Sequence, residues 1–129
     1  MQPFSPYLLI FLGGGTGSCL RFALGAMVHS RTPGTFPWGT LVVNVTGALI
    51  LGMLMEGFLK QTPHPQWRMF FAIGVLGGYT TFSTLCYEAF ALLEAKSYGP
   101  FAGYVLGTNL MGLTACWIGA AMMRRWAAA

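Results

Sequence analysis

The chain has 129 residues, of which 55% are hydrophobic and 8% charged, with a formal net charge of +4 at neutral pH. A soluble domain carries about 25% charged residues, so this composition excludes a surface coated for water. The basic balance reads as Lys and Arg set near lipid headgroups and not as a nucleic-acid footprint. The few charges are segregated, leaving uncharged runs at 1–20, 32–55, 69–87 and 97–123. A bilayer core of roughly 30 Å needs about 20 apolar residues in a helix. The expectation is an all-α integral membrane protein, one four-helix unit over residues 1–129, with four spans and little loop.

The first span is expected over roughly 6–28. It reads as a retained span because Met1-Gln2-Pro3-Phe4-Ser5 has no basic leader region. Gly13-Gly14-Gly15-Thr16-Gly17-Ser18 has the glycines of a phosphate loop, but no strand before them and no Lys among them. Gly13 and Gly17 are better read as small residues at i and i+4, which let helix backbones approach closely in lipid. Arg21 lies well inside the span. Its stem either snorkels to the interface or places a cation where an anion passes. The second span is expected over roughly 38–58, opening at Pro37-Trp38-Gly39. Asn44 sits between Val43 and Val45, and an amide inside lipid needs partners: it is either interhelical glue or a pore donor. Glu56, near the span end, is expected to be solvated. Thr62-Pro63-His64-Pro65 reads as a short loop, since proline cannot continue a helix.

The third span, roughly 66–94, carries the most informative stretch. Gly77-Gly78 followed by Thr80 and Thr81, inside an apolar run, is a poor recipe for continuous helix. A helix broken at membrane depth survives only where its freed backbone is buried or coordinates something. Freed carbonyls make a hard-oxygen site suited to a small cation. The competing reading is a glycine-kinked helix whose hydroxyls bond back to their own carbonyls. The fourth span is expected over roughly 98–123, opened by Tyr98-Gly99-Pro100, with Gly99, Gly103 and Gly107 repeating the small-residue spacing. Trp38, Trp67 and Trp126 fall at span ends, where indole rings favour the interface. Cys19, Cys86 and Cys116 fall inside spans without metal-ligand spacing and read as small packing residues. With four spans, Lys60, Arg68, Arg124 and Arg125 share one side, while Arg31 and Lys96, with Arg21 near them, share the other. So small an imbalance is what a protein inserted in both orientations would carry.

Gly77-Gly78-Tyr79-Thr80-Thr81-Phe82-Ser83-Thr84, with Glu88 following, closely resembles the third-helix signature of the Fluc (CrcB-type) fluoride channels. The resemblance extends to Gly39-Thr40-Leu41-Val42-Val43-Asn44 and to the Gly-rich segment leading to Arg21-Phe22, and so covers essentially the whole chain. It implies an antiparallel, dual-topology homodimer in the bacterial inner membrane, with two fluoride pores and a structural Na⁺ at the dimer centre. The Na⁺ would be held by the backbone carbonyls of Gly77 and Thr80 from both copies. Asn44 and Phe82 match pore positions, Ser83, Thr84 and Glu88 match a polar track, and Thr40 falls within the matching second-helix motif. Tyr104 and Thr108 are similar to the helix-four lining. The implied role is passive release of cytoplasmic fluoride that entered as neutral HF. The chemistry is reasonable on its own terms, because amide and hydroxyl protons, and the positive edge of an aromatic ring, can replace the water around a small anion. A cationic Arg21 near the entrance would raise local anion concentration. Two positions depart from the pattern: Leu85 stands where a second Phe is usual, and Gly112 where a hydroxyl is common.

Other functions are weaker on the same residues. A small dual-topology drug or cation exporter needs a carboxylate in its first helix, and no acidic residue precedes Glu56. A non-conducting subunit that needs a partner chain is made more plausible by Leu85. An enzyme is not expected: there is no Asp, no nucleophile–base pair, and His29 and His64 read as loop residues.

Overall fold

A computed structural model of the chain describes residues 5–61 and 64–128. Met1–Phe4, and Thr62-Pro63 of the expected loop, lie outside the described residues. The chain runs α1 (Pro6–His29), α2 (Trp38–Gln61), α3 (Pro65–Trp67), a π-helix (Arg68–Leu76), α4 (Gly77–Tyr79), α5 (Ser83–Glu94) and α6 (Tyr98–Trp126). Four stretches are long and apolar enough to cross a membrane: Pro6–His29, Trp38–Lys60, Pro65–Glu94 and Tyr98–Trp126. Among the described residues there is no strand. The helices extend one to three residues beyond the expected ends, and His29 therefore closes α1 instead of lying in a loop.

Local chemistry sets the ends. Pro6 and Pro65 open helices, where a missing N–H costs nothing. After α1, Ser30 N still bonds to Ala26 O at 2.9 Å, and Gly34 then turns the chain with φ +101°. The third span is assembled from four pieces. Its wide π-helical segment runs into α4, and Gly77 stays helical with φ −64° and ψ −36°. The break comes later than the glycines suggested, at 80–82, where Thr80 turns extended with φ −80° and ψ 157°. Glycine permits a departure from the helix but does not force one. The ladder stops where another helix captures the next amide.

Packing depends on absent side chains. A Cβ on Gly13 would lie 3.0 Å from Gly74 Cα, and one on Gly17 would run into the Val75 carbonyl, so α1 lies backbone-to-backbone on the π-helix. Gly52 packs against the Cys116 carbonyl and Gly119 against the Leu49 carbonyl, joining α2 to α6 in the same way. Small residues at such crossings give dense van der Waals contact, the main source of helix association in lipid. Gly99, Gly103 and Gly107 make no such crossing among the described residues: a Cβ added to any of them would meet nothing within 4 Å. Two small cores complete the interior, one of Leu41, Leu85, Ala89, Leu92 and Tyr104, the other of Val43, Leu76 and Tyr79. Phe11, Phe22, Leu110 and Trp117 face outward, as a lipid environment allows.

At one end of the bundle Glu56 pairs with Arg124, and Lys60 Nζ donates to the Arg124 carbonyl at 3.2 Å. Glu56 is therefore tied to α6, where free solvation was expected. Trp38, Trp67 and Trp126 lie at helix ends and are exposed.

Gly17→Val should collapse the α1 crossing. Overpacking typically costs about 1–3 kcal/mol, and here the obstacle is backbone that has no rotamer to change. We expect a large fall in the detergent melting temperature and loss of the monodisperse gel-filtration peak, whereas Gly15→Ala, where an added Cβ meets nothing within 4 Å among the described residues, should leave both near wild type.

Candidate functional site

The break is stitched by one side chain. Thr80 N makes the last helical bond, to Leu76 O at 3.0 Å, and the Thr80 hydroxyl bonds back to the same carbonyl at 3.0 Å. The next amide leaves the ladder: Thr81 N donates to Asn44 Oδ1 at 2.8 Å, and Asn44 Nδ2 donates to Thr81 O at 2.9 Å. Asn44 is thus interhelical glue, and the second of its two amide protons has no partner among the described residues. The neighbouring carbonyls take donors from α1, with Arg21 Nη1 on Thr80 O at 3.3 Å and Ser18 Oγ on Gly78 O at 3.4 Å. Ser18 and Arg21 are three apart, on one face of α1. Arg21 is turned inward to the break and does not snorkel.

Beyond the break the hydroxyls form an ordered set. Thr81 Oγ1 donates to Thr84 Oγ1 at 3.0 Å and accepts from Thr84 N at 3.3 Å. Since Thr81 has spent its proton, Thr84 keeps its own for another acceptor. One turn on, both oxygens of Glu88 are occupied: Thr40 Oγ1 donates to Oε1 at 3.0 Å and Tyr104 Oη to Oε2 at 2.6 Å. Hydrogen bonds to a carboxylate are among the stronger ones, and they remove Thr40 and Tyr104 from the donors available to an anion.

These groups border one open cleft of about 590 Å³, lined by Ser18, Arg21, Thr40, Thr81, Thr84 and Glu88, with His29 at its edge. Its polar wall offers the Thr84 proton and the remaining Arg21 protons, with Asn44 held just behind Thr81. A small anion gives up its water only where such donors replace it.

The structure gathers Arg21, Thr40, Thr84 and Glu88 on the cleft, with Asn44 behind Thr81 and fully buried Tyr104 behind Glu88. It sets the other expected residues elsewhere. Phe82 is 77% exposed, and Ser83 beside it also faces outward. Leu85 is only 7% exposed and packs in the core with Leu41 and Tyr104. Thr108 is buried, and its hydroxyl has no partner among the described residues. Gly77 is exposed, and its carbonyl has lost its helical donor, Thr81 N, to Asn44. Three polar cleft residues escaped the reading of the sequence as site residues: Ser18, whose spacing from Arg21 was the available signal, the capping hydroxyl Thr81, and His29. Among the described residues no group of three His, Cys, Asp or Glu is placed to hold a metal.

Residues 8–120 match the family model described as CrcB-like protein, Camphor Resistance (CrcB). The chain is 44% identical over 120 residues to the fluoride-specific ion channel FluC of Solibacter usitatus, covering 92% of this chain and 98% of that protein. It is 42% identical over 113 residues to the protein of that name from a strain of Thermus thermophilus, covering 88% and 90%. For the one from Rhizobium meliloti the identity is 42% over 118 residues, covering 91% and 94%.

Asn44→Ala should unstitch the break. It leaves a half-buried N–H and C=O of Thr81 without partners, each costing about 1–3 kcal/mol, so the melting temperature in detergent should fall clearly. Thr46→Val, on the same helix, removes a hydroxyl that bonds Val42 O at 2.7 Å within its own helix and also meets Tyr79 Oη at 2.8 Å; its melting temperature should fall by less.

Proposed function

The chain belongs to the CrcB-like family, and on that premise we propose that it is a fluoride-specific ion channel, releasing fluoride passively across the bacterial inner membrane and so limiting its toxicity. It is a conduit and not an enzyme. The observation that carries the reading is the donor array at the broken third span: Arg21 and the free proton of Thr84 border one cleft, with the Asn44 amide behind Thr81. Fluoride is small and strongly hydrated, so hydroxyl, amide and guanidinium protons are the chemistry it needs.

One copy leaves this arrangement incomplete, which supports an antiparallel homodimer inserted in both orientations. Phe82 and Ser83 turn away from their own cleft, and Gly99, Gly103 and Gly107 offer a bare helix face. A partner copy would bring its own Phe82 ring edge, electropositive and suited to an anion, to a path begun by this chain.

A Na⁺ at the centre of the dimer fits the donors in part. The Gly77 carbonyl is free of its helical bond and opens on an exposed face, as a shared cation would require. The Thr80 carbonyl already accepts from Arg21 at 3.3 Å, and that guanidinium would have to yield it. Two carbonyls from one copy are too few for a hard cation, so Gly77 and Thr80 of both copies would hold it.

Fluoride efflux from liposomes, followed with a fluoride electrode, tests the reading. Wild-type protein should release fluoride, and Phe82→Ile should abolish release while the protein remains monodisperse. Leu85→Phe should keep the flux if Leu85 is a tolerated replacement, although a larger ring in a filled core costs about 1–3 kcal/mol and gel filtration must accompany it. A well-folded wild type that releases no fluoride would sink the assignment and favour a subunit that needs another chain.

A further inference from the structure

The cleft carries its own competitor for an anion. Glu88 is the one acidic residue in its lining among the described residues. It stands one turn beyond Thr84 on the same face of α5, and it borders the cleft together with Arg21. A carboxylate free to turn along that wall would take the protons a passing anion needs, because charged acceptors make the stronger hydrogen bonds. In the structure its oxygens are engaged elsewhere: Oε1 accepts from Thr40 at 3.0 Å and Oε2 from Tyr104 at 2.6 Å.

What holds the Tyr104 hydroxyl in place is therefore a functional matter. The ring is fully buried, and Leu41, Leu85, Ala89 and Leu92 fill the space about it. Its edge-to-face partner is Phe36, with ring centroids 5.6 Å apart and planes at 80°. That geometry constrains the tilt of a ring and not only its burial. The hydroxyl is the atom farthest from the backbone, so a small tilt takes it off Oε2. Phe36 is itself fixed to the start of α2: Trp38 N donates to Phe36 O at 2.9 Å, and the two rings lie 4.5 Å apart. Phe36 does not line the cleft, so its influence there has to pass through Tyr104.

Resting on the channel reading, we infer that Phe36 is a positioning residue for conduction: its ring holds Tyr104 on Glu88, and the occupied carboxylate leaves Thr84 and Arg21 to the passing anion. Without the ring edge, Glu88 becomes a competing anion inside the cleft. One charge acting through water at about 6 Å changes the local concentration of a small anion about threefold. The loss is one of apparent affinity, since a high fluoride concentration overcomes a competitor.

The test is the initial rate of fluoride efflux from liposomes holding the full chain, measured over a range of internal fluoride concentrations. Phe36→Ala should raise the half-saturating concentration about threefold and keep the maximal rate, whereas a packing defect alone lowers the maximal rate and leaves half-saturation where it was. Phe36→Tyr, which keeps the ring, should behave as wild type. Phe36→Leu keeps most of the bulk without the ring edge and should shift half-saturation in the same direction, so it serves if the alanine variant is not monodisperse. Tyr104→Phe should show the rise by itself, and adding Phe36→Ala to it, or to Glu88→Gln, should raise half-saturation no further. An unchanged half-saturation in both Phe36→Ala and Phe36→Leu would overturn the inference. So would a full further rise when Phe36→Ala is added to Tyr104→Phe, which would show that Phe36 acts by another route. A monodisperse wild type that releases no fluoride removes the channel reading itself, and this inference with it.

Discussion

Thr81 is held to the second span by both of its backbone polar groups, which bond the Asn44 amide at 2.8 and 2.9 Å. Inside a bilayer no water is available to satisfy an opened helix, and each unsatisfied group costs several kcal/mol. The third span can break at 80–82 only because α2 presents an amide at that depth. A carboxylate there would offer acceptors alone and a hydroxyl would reach one group; the amide supplies donor and acceptor together. Once Thr81 is fixed, its hydroxyl accepts from Thr84 N and α5 starts in a set orientation. Thr84 and Glu88, four apart, then share one face of α5, and the cleft acquires its polar wall.

The depth at which α1 meets the break follows from missing side chains. Gly13 and Gly17 let α1 lie on the backbone of the π-helix. That closeness brings Ser18 to the Gly78 carbonyl and Arg21 to the Thr80 carbonyl. With larger residues at the crossing, a long Arg side chain would have an easier path to the interface. Packing of the smallest residues thus determines the position of the most expensive one. The same close approach at Gly52 and Gly119 holds α2 to α6, and places Thr40 and Tyr104 on either side of Glu88.

Four spans were legible because ten charges cannot hide in so short a chain: the spans expected from their spacing and from the turn residues match the observed helices to within a turn. Asn44 was legible as a residue in need of partners, and the structure supplies them. The position of the break was less so. Gly77-Gly78 suggested an early start, yet both remain helical, because the interruption is decided by a side chain on another helix. Pairings across the bundle were similarly out of reach. Nothing along the chain says that Glu88 collects two hydroxyls, that Glu56 meets Arg124, or that Leu85 turns into the core beside Tyr104. Periodicity reports faces. It does not report which faces meet.

The π-helical segment from Arg68 to Leu76 makes the third span sensitive to its length. A π-turn holds more residues than an α-turn and is kept only under local constraint. Here the constraint is double: Gly74, near its C-terminal end, must meet Gly13, and Thr81, beyond that same end, must meet Asn44. Losing or gaining one residue between those points would rotate everything distal by roughly a quarter of a turn. The Thr81 backbone would then miss the amide, and Thr84 and Glu88 would swing off the cleft. The connection over 30–37 carries no such angular relation and can absorb a change in length. In this molecule the distance along the chain from glycine crossing to stitch is itself fixed geometry, a ruler that substitutions leave intact and single-residue indels do not.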